Sequence, residues 1–361
     1  MIGKTTLLIY PRGADYKYNQ DQRDYYVYHP QSVSLSTSRE CQASTLTGSI
    51  PHVAELFPEM GSRVQFIAED GQCVFVGNLF KTDVDRWGTV SFTAYDYLRY
   101  LRGDISGRFS GWEVSSVVKH ILDYYALPVG RIDTSGVKLW RKLVKAECCL
   151  DVIQSMLEYA EVQSVRTKAA MSAISAGGGE IWVFFHDPKT GLCFMRADDM
   201  YPYVMSSETL IGEQSLATDM SYSLSIDDDT FNSIKLFRPG DEYGGTNGVV
   251  VEDENTINQW GPLRYFEQVS DAACANKAQL EQKARLMLAW KNRPTRRLNV
   301  NAIGVPGLRA GMFINVSFPS YERILGKTAR TQRMIISECT HTWESDVHTM
   351  DLSFQTLAQE T

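Results

Sequence analysis

The feature that most constrains the fold is a series of short, alternating apolar runs separated by turn signals in residues 63–96. Alternation with a period of two is the pattern of a β-strand that buries one face. The Asp70-Gly71 dipeptide supplies a hairpin turn, because glycine adopts positive φ without strain, and the segment 83–88 (DVDRWG) separates the next pair of strands. Together with strand-like runs nearer the N-terminus, this spacing predicts a small barrel or sandwich in residues 1–100.

The pattern changes to a helical period after this region. The segment 110–113 (SGWE) has the sequence of a capping box, and apolar residues at helical spacing follow it until Pro128 ends the helix. These apolar residues are Val114, Val117, Val118, Ile121 and Tyr125. A second helix is predicted over residues 147–159 and a hairpin over residues 180–197. We therefore predict an α+β unit over residues 101–206.

Strand-like runs resume in residues 207–245 and 295–361, and the segment between them, 246–294, carries a third helix. That helix is predicted over 276–290, where apolar residues recur at helical spacing before Pro294. We interpret the two outer segments as one β domain and the middle segment as a helix-containing insertion. The predicted fold class is α+β and β-rich, which the eighteen tyrosines and fifteen phenylalanines favour.

The charge and the cysteines limit the classes of partner. A net charge of −7 argues against a protein that wraps nucleic acid, because the phosphates need a basic surface. The seven cysteines are scattered without a Cys-x-x-Cys pair, so they indicate neither a zinc knuckle nor a disulfide scaffold. No apolar run has the length of a membrane span or the form of a signal peptide, so we expect no membrane span.

Several short motifs suggest chemistry but lack its context. GKTT at residues 3–6 matches the end of a phosphate-binding loop, yet it precedes a strand rather than a helix. The acidic run at 227–229 lacks the spacing of a calcium loop and is typical of a turn. Four isolated histidines have no partner at ligand spacing; they are His29, His52, His120 and His186. We predict no catalytic residue, no cofactor and no metal site, and therefore no enzyme.

The segment 338–354 (ECTHTWESDVHTMDLSF) is the strongest test of that prediction. With Ser345-Asp346 as the turn of a hairpin, the register pairs Trp343 with His348, His341 with Met350, and Cys339 with Leu352. Both histidines then share a face with apolar side chains, and the acidic residues lie on the opposite face. We predict an amphipathic hairpin in which His341, Trp343 and His348 are structural residues.

Six segments match, in amino-acid sequence and in order along the chain, segments of a known protein family. They are FTAYDYLRYL (92–101), FNSIKLF (231–237), INQWGPLRYFEQV (257–269), AQLEQKARLML leading into NRPTRRLNVNAIG (278–304), LRAGMFINV (308–316) and HTW…HTMDLSF (341–354). In the first of them a strand enters a helix that Asp96 caps. The chain resembles the baseplate hub proteins of contractile-tailed bacteriophages and of related Bacillus-type defective prophages. The resemblance is weakest in the first ninety residues and in 168–180.

The resemblance implies a structural protein rather than an enzyme. It implies a homotrimer with two tail-tube-like β-barrels per chain, one in residues 1–100 and one in 207–245 with 295–361. Six barrels would then match the sixfold tail tube to the threefold central spike. The implied partners are the tail tube or a tube-initiator protein, the central spike, the baseplate wedge proteins and the tape measure. DNA would pass through the channel without specific binding. The expected location is the virion tail baseplate, assembled in the cytoplasm of the bacterial host.

Two alternatives stay open at this point. The first is a hub of a related contractile injection system, such as a tailocin or a secretion apparatus, which would share the fold. The second is a zinc-dependent peptidase or cell-wall hydrolase that uses Cys339, His341 and His348, because zinc takes sulfur and nitrogen ligands. A metal measurement separates the second alternative from a structural role.

Overall fold

The computed structural model describes residues 5–10, 25–51, 59–139, 142–164, 180–200, 216–227, 230–238, 248–269, 277–316, 332–344 and 347–355. The strands in these residues are β1 (Thr6–Tyr10), β2 (Tyr26–Tyr28), β3 (Ser32–Ser38), β4 (Thr45–Pro51), β5 (Arg63–Ile67), β6 (Cys73–Val84), β7 (Thr89–Tyr95), β8 (Asp104–Phe109), β9 (Val129–Ile132), β10 (Lys142–Cys148), β11 (Trp182–Asp187), β12 (Gly191–Arg196), β13 (Ala217–Ser225), β14 (Ser233–Phe237), β15 (Val249–Glu252), β16 (Arg264–Gln268), β17 (Thr295–Ile303), β18 (Phe313–Val316), β19 (Gln332–Glu344) and β20 (Val347–Gln355). The α-helices are α1 (Val114–Tyr124), α2 (Cys149–Ser164), α3 (Glu254–Trp260) and α4 (Lys277–Lys291). The β-rich α+β class is therefore confirmed.

A twelve-stranded sheet joins the two predicted strand blocks. Its order is β13-β17-β20-β19-β3-β4-β7-β6-β5-β1-β2, and β18 pairs with β19 beside this path. The blocks meet where β19 lies antiparallel to β3, with Trp343 opposite Val33 and His341 opposite Leu35. Residues separated by about three hundred positions thus share one hydrogen-bonded ladder, which we call the shared sheet. The pattern within each strand did not predict this junction.

Two hydrophobic cores lie against the shared sheet. The first packs strands β1 to β7 around fully buried side chains such as Leu7, Phe66 and Phe75, together with Trp343 of β19. The second packs β17 to β20 against the β11–β12 hairpin. The turns that separate the early strands are those expected, because Gly71 has φ of +83°.

The α+β unit packs α1 and α2 against each other and against β8 to β12. The predicted apolar face of α1 is buried, but the capping box is wrong. Glu113 occupies the N-cap position of α1, and its side chain makes no hydrogen bond to the helix. Its Oε1 accepts hydrogen bonds from Gly136 N at 2.7 Å and from Ser135 Oγ at 3.2 Å, because a bridge to Lys138 brings that loop beside the helix start.

The insertion is larger than predicted. Strand β14, which the sequence boundaries assign to the second β domain, pairs with β15 and β16 in a separate three-stranded sheet. Helix α4 packs on this sheet around Leu280 and Ala284, close to the predicted helix. Helix α3 was not predicted, although Asp253 caps it by accepting from Asn255 N and Thr256 N. The domain boundaries themselves remain predictions.

Asp96 stands where the shared sheet leads into the α+β unit. Its carboxylate accepts a hydrogen bond from Leu98 N at 3.0 Å and so caps a 3-10 helix, Tyr97–Arg102. The side chain is buried, and burial raises its pKa to about 6. Within the described residues, no helix is long and apolar enough to cross a membrane.

Candidate functional site

Small polar side chains cover one face of the shared sheet. The strand registers set them opposite one another in staggered rows, which together reach from β13 to the second half of β6, with Ile303 and Val347 as apolar exceptions. The rows are Ser221, Asn299, Ser353, Glu338 and Ser38; then Asp219, Asn301, Asp351, Thr340, Ser36 and Thr45; then Ile303, Thr349, Thr342, Ser34, Thr47, Thr93 and Lys81; then Val347, Glu344, Ser32, Ser49, Ser91 and Asp83. We call these rows the polar face.

Alternation within each strand produces this face. In β3 (SVSLSTS) the two apolar residues, Val33 and Leu35, are buried, and the serines between them are partly exposed. In β7 (TVSFTAY) Val90, Phe92 and Ala94 are buried in the same way. Because successive side chains of a strand point to opposite faces, the serines and threonines of neighbouring strands come together on the other side.

Hydrogen bonds link the polar face from strand to strand. Ser36 Oγ of β3 lies 3.0 Å from Thr340 Oγ1 of β19, across the junction between the two strand blocks. Ser353 Oγ of β20 donates to Asn299 Oδ1 of β17 at 2.9 Å. The face is thus continuous across the junction, and its short side chains satisfy one another or face solvent.

The polar face carries more carboxylates than cations among the described side chains. The carboxylates are Asp83, Asp219, Glu338, Glu344 and Asp351. Lys81 is the cation on these rows, and it is already paired with Asp83. Arg297, opposite Ser223, lies just outside the rows. The surface therefore has a net negative charge and lacks the basic footprint that would hold nucleic acid.

The β19–β20 hairpin has the predicted register. Trp343 pairs with His348, His341 with Met350, and Cys339 with Leu352. The predicted turn, Ser345-Asp346, lies outside the described residues. The acidic residues of the hairpin lie on the polar face, and the histidines lie on the opposite, core-facing side, as the register predicts.

One acidic side chain reaches the histidines from elsewhere. Glu69, in the turn between β5 and β6, accepts from Trp343 Nε1 at 2.7 Å, and its Oε1 lies 2.6 Å from His348 Nδ1. His348 Nε2 lies 2.9 Å from His341 Nδ1, and His341 Nε2 lies 2.7 Å from the carbonyl oxygen of Leu308. We call Glu69, His341 and His348 the histidine cluster. The hairpin register concerned the acidic residues of the hairpin and did not predict this contact with Glu69.

The chemistry of this cluster does not favour a zinc enzyme. Both ring nitrogens of His341 already face hydrogen-bonding partners, and Cys339, 3.2 Å from Nε2, is a buried thiol whose pKa is raised by that burial. Among the described residues, no three His, Cys, Asp or Glu side chains are placed to hold a metal ion. Burial lowers the pKa of His341 to about 4, although the Leu308 carbonyl opposes that shift, so its ring is neutral near pH 7.

Comparison with known proteins decides the family. The YqbQ-like family model matches residues 33–355. The chain belongs to the YqbQ-like family. The "Phage-like element PBSX protein XkdQ" of Bacillus subtilis (strain 168), to which the chain is similar, is 28% identical over 283 residues, which are 77% of this chain and 78% of XkdQ.

Two solved structures share the fold of this YqbQ-like chain. The 43 kDa tail protein of prophage MuSo2 from Shewanella oneidensis superposes with a TM-score of 0.65 and 11% identity, over 97% of this chain and 98% of that one. The Francisella PdpA-VgrG complex superposes with a TM-score of 0.56 and 10% identity, over 99% of this chain and 58% of that one. The expected resemblance to a Bacillus-type prophage family is confirmed.

Sequence reasoning missed Glu69 and the extent of the polar face. Glu69 stands beside a hairpin turn, where an acidic residue is ordinary, and nothing in its local pattern points to a histidine far along the chain. The polar face did leave a signal, because β3, β4 and β7 all alternate serine or threonine with apolar residues. Which of these strands lie side by side depends on pairing that no single strand encodes.

Proposed function

We propose that this chain is a structural component of a contractile phage tail, a baseplate hub that forms a trimeric ring between the sixfold tail tube and the threefold central spike. The polar face carries this proposal. A broad, continuous, weakly acidic sheet of short side chains is suited to line a channel through which DNA slides, since like charge disfavours adhesion of the phosphates.

Two unpaired strand edges of the shared sheet support a ring. Among the described residues, β13 pairs only with β17, and the second half of β6 pairs only with β7, because β5 reaches no further along β6 than Asn78. Two unlike edges on one sheet favour head-to-tail association, which closes into a ring when the rotation permits. Pairing between copies would cover both edges and extend the polar face around a channel.

Family membership supports a tail role in particular. XkdQ is described as a protein of a phage-like element, and the Shewanella structure is a prophage tail protein. We extend that role to this chain, with the tail tube or tube-initiator protein, the central spike, the wedge proteins and the tape measure as partners, in the virion tail baseplate. The likeness to the VgrG complex favours a second candidate, the same ring in another contractile injection system.

Reconstruction of particles that contain this chain tests the proposal. We expect three copies between tube and spike, with the polar face toward the channel. A channel lined by basic residues, or a position outside the tube axis, would contradict it. Sheath and tube genes beside a capsid gene would favour a phage tail over a secretion apparatus.

An edge variant tests ring closure without touching the core. Leu224 on β13 is 55% exposed, and Leu224→Asp places a charge on the proposed contact between copies. We expect loss of the trimer in mass measurements made with the tube and spike partners present. Tyr124→Asp on α1, where the tyrosine is 69% exposed, is the matched control and should assemble normally.

A further inference from the structure

The histidine cluster joins three segments that are distant in sequence, and the proposed tail role does not account for it. Glu69 belongs to the turn between β5 and β6, the histidines to the β19–β20 hairpin, and Leu308 to the segment between β17 and β18. Main-chain bonds also fasten the Leu308 segment: Gly304 N donates to the His348 carbonyl at 2.8 Å, and Gly311 N donates to the Ile336 carbonyl at 2.8 Å. The contact between His341 and the Leu308 carbonyl adds to these bonds. The β5–β6 turn is joined to the hairpin by the side-chain contacts of Glu69.

The geometry limits the charge that the cluster can carry. His341 Nδ1 and His348 Nε2 lie 2.9 Å apart, a distance that accommodates a single proton. If both imidazoles were cations, two N–H groups would point at each other and two positive charges would share a site with little solvent. His341 is 2% exposed, and the side chain of His348 is 7% exposed, so water screens this repulsion poorly.

The rings have no room to turn away from each other while the segments stay in place. Trp343 stacks on His348, with ring centroids 4.3 Å apart, and on His341 at 5.4 Å. On the other side, a Cβ at Gly304 would collide with the His348 ring, so that ring packs directly on the backbone of the segment. A rotation that relieved the repulsion would have to displace this segment or the tryptophan.

The charged and titratable groups around the cluster come from every element packed against it. They are Glu69 and Asp70 from the β5–β6 turn, Cys339 from β19, Arg309 from the Leu308 segment, and Cys73, Asp96, His186, Asp187 and Lys189 around an adjoining cavity of about 270 Å³. Of the carboxylates, Glu69 alone contacts an imidazole among the described residues. Burial would raise the pKa of Glu69, but its hydrogen bonds with the main chain, His348 and Trp343 lower it below its ordinary value, so this carboxylate stays charged near pH 5 and offsets one positive charge, not two.

We propose that the histidine cluster is an acid-sensitive latch, which holds the β5–β6 turn and the Leu308 segment against the β19–β20 hairpin while the imidazoles are not both charged, and releases them when both are protonated. The β3–β19 ladder, which includes His341, stays intact on release, because its bonds join main-chain atoms that protonation of the imidazole side chains does not change. The latch thus loosens the packing around the sheet junction and leaves the shared sheet in place.

The pKa shifts give the direction of the response. Burial lowers the pKa of His341 to about 4 and lowers that of His348, where the hydrogen bond and charge of Glu69 oppose the shift. Both values lie below that of an exposed histidine, about 6.5. The latched state therefore binds protons less readily than the released state, so latching is complete above about pH 6.5 and is lost as the pH falls toward 4.

Hydrogen exchange of the full chain at about pH 7.5 and about pH 5 tests the latch, after correction for the intrinsic pH dependence of exchange. The amides to follow are those of Ala68, Gly304 and Leu308, with the β3–β19 ladder as internal reference. We expect their protection to fall by about tenfold or more at the lower pH, which follows from the His341 shift, while the ladder does not change.

His348→Gln isolates the cause, because glutamine retains hydrogen-bonding groups and cannot become charged. In this variant His341 is the one imidazole of the pair left to charge, so we expect the pH response of the three amides to become smaller than in the wild type without disappearing. His120→Gln, on the exposed face of α1, is the matched control and should respond like the wild type. Glu69→Gln provides a second, independent variant, in which we expect the three amides to be loosened already at the higher pH.

Two results would overturn the latch. One is a wild-type chain whose three amides keep their protection at the lower pH, or lose it only together with the ladder. The other is an unchanged pH response in both His348→Gln and Glu69→Gln. If His348→Gln does not fold, the Glu69→Gln result decides alone, since Glu69 lies in a turn at the rim of the core.

Discussion

The two faces of the shared sheet are built by the same strands and differ in how far their contacts reach. On the core face, Trp343 packs against Phe66 of β5 with ring centroids 4.8 Å apart and bonds to Glu69 beyond it. On the polar face, Ser36 bonds to Thr340 on the adjacent strand. Side chains on the core face contact residues from distant parts of the sequence, whereas side chains on the polar face bond to the adjacent strand.

This difference indicates where the chain is sensitive to change. A side chain on the core face satisfies groups that no water can reach, so its loss leaves a cavity and unpaired partners. A side chain on the polar face can exchange a protein partner for water at little cost. Stability should therefore depend on the core face, and under the proposed tail role the passage of DNA or the fit of partners should depend on the polar face.

Trp343→Ala should have the largest effect. It removes a 5% exposed indole and leaves Glu69 without its Trp343 donor, so we expect a loss of about 3–5 kcal/mol in the free energy of unfolding. Denaturant unfolding measures it, with Trp87→Ala as control. Trp87 is 78% exposed in the β6–β7 turn, and its loss should cost less than about 0.5 kcal/mol. Equal losses of unfolding free energy in the two variants would contradict the expected difference between the buried and the exposed tryptophan.

His341→Ala belongs to the same comparison. We expect impaired folding or ring assembly with no loss of bound metal or of catalytic activity. Elemental analysis of the purified chain before and after the substitution checks this. A variant that assembles normally but releases stoichiometric zinc would restore the hydrolase alternative.

The pH dependence of stability should follow the buried histidines of the core side. Burial, together with the charges of the nearby Arg309 and Arg63, lowers the pKa of His186 to about 3. Its neutral ring therefore stabilises the fold fully above about pH 6.5, and this stabilisation is lost as the pH falls.

His186→Gln measures that contribution directly. The difference in unfolding free energy between wild type and variant should change by about 1.4 kcal/mol per pH unit below about pH 6.5, in favour of the variant. Asp96, whose pKa of about 6 has the opposite effect on stability, titrates in both proteins and cancels in this difference. A difference that stays constant with pH would mean that the His186 ring is already charged or exposed.

Ser36→Ala should have a small effect. It removes the 3.0 Å contact with Thr340 at a partly exposed site, so we expect a loss of about 0.5–1 kcal/mol in thermal or denaturant unfolding. Ser34→Ala is the matched control on the same strand and face, where no side-chain bond to the described residues is lost. A loss above about 2 kcal/mol would show that this face is packed rather than open.

Thr342→Arg should have the smallest effect on stability, within about 0.5 kcal/mol, because the position lies on the open side of the sheet. It adds a cation to the middle of the polar face. We expect particles that assemble normally but eject DNA more slowly, which an ejection assay with purified particles measures. Unchanged ejection would separate the polar face from the channel.

Most strands of the two strand-rich blocks and the turn at Gly71 were predictable from local pattern, whereas β8, β9 and β10 of the α+β unit were not predicted. The predicted hairpin register put His341, Trp343 and His348 on one face with apolar side chains. That register is well specified, because a one-residue slip would move all three to the exposed face. The helix cap at Asp96 was predictable from local sequence, because it needs only the carboxylate oxygen of Asp96 and the amide of Leu98 two residues later. The capping box at 110–113 failed because a competing loop took the Glu113 carboxylate, and β14 was misassigned because its partners are set by pairing rather than by composition.

By itself the sequence determined which side chains are buried in alternating strands such as β3 and β7, because alternation is a property of the backbone within a few residues. It also determined the family, through motifs kept in order along the chain. Only the tertiary structure decided that β3 and β19 lie side by side and that Glu69 faces His348, 279 positions away. Those contacts depend on how distant segments pack, and the free energy that selects them is spread over the whole core.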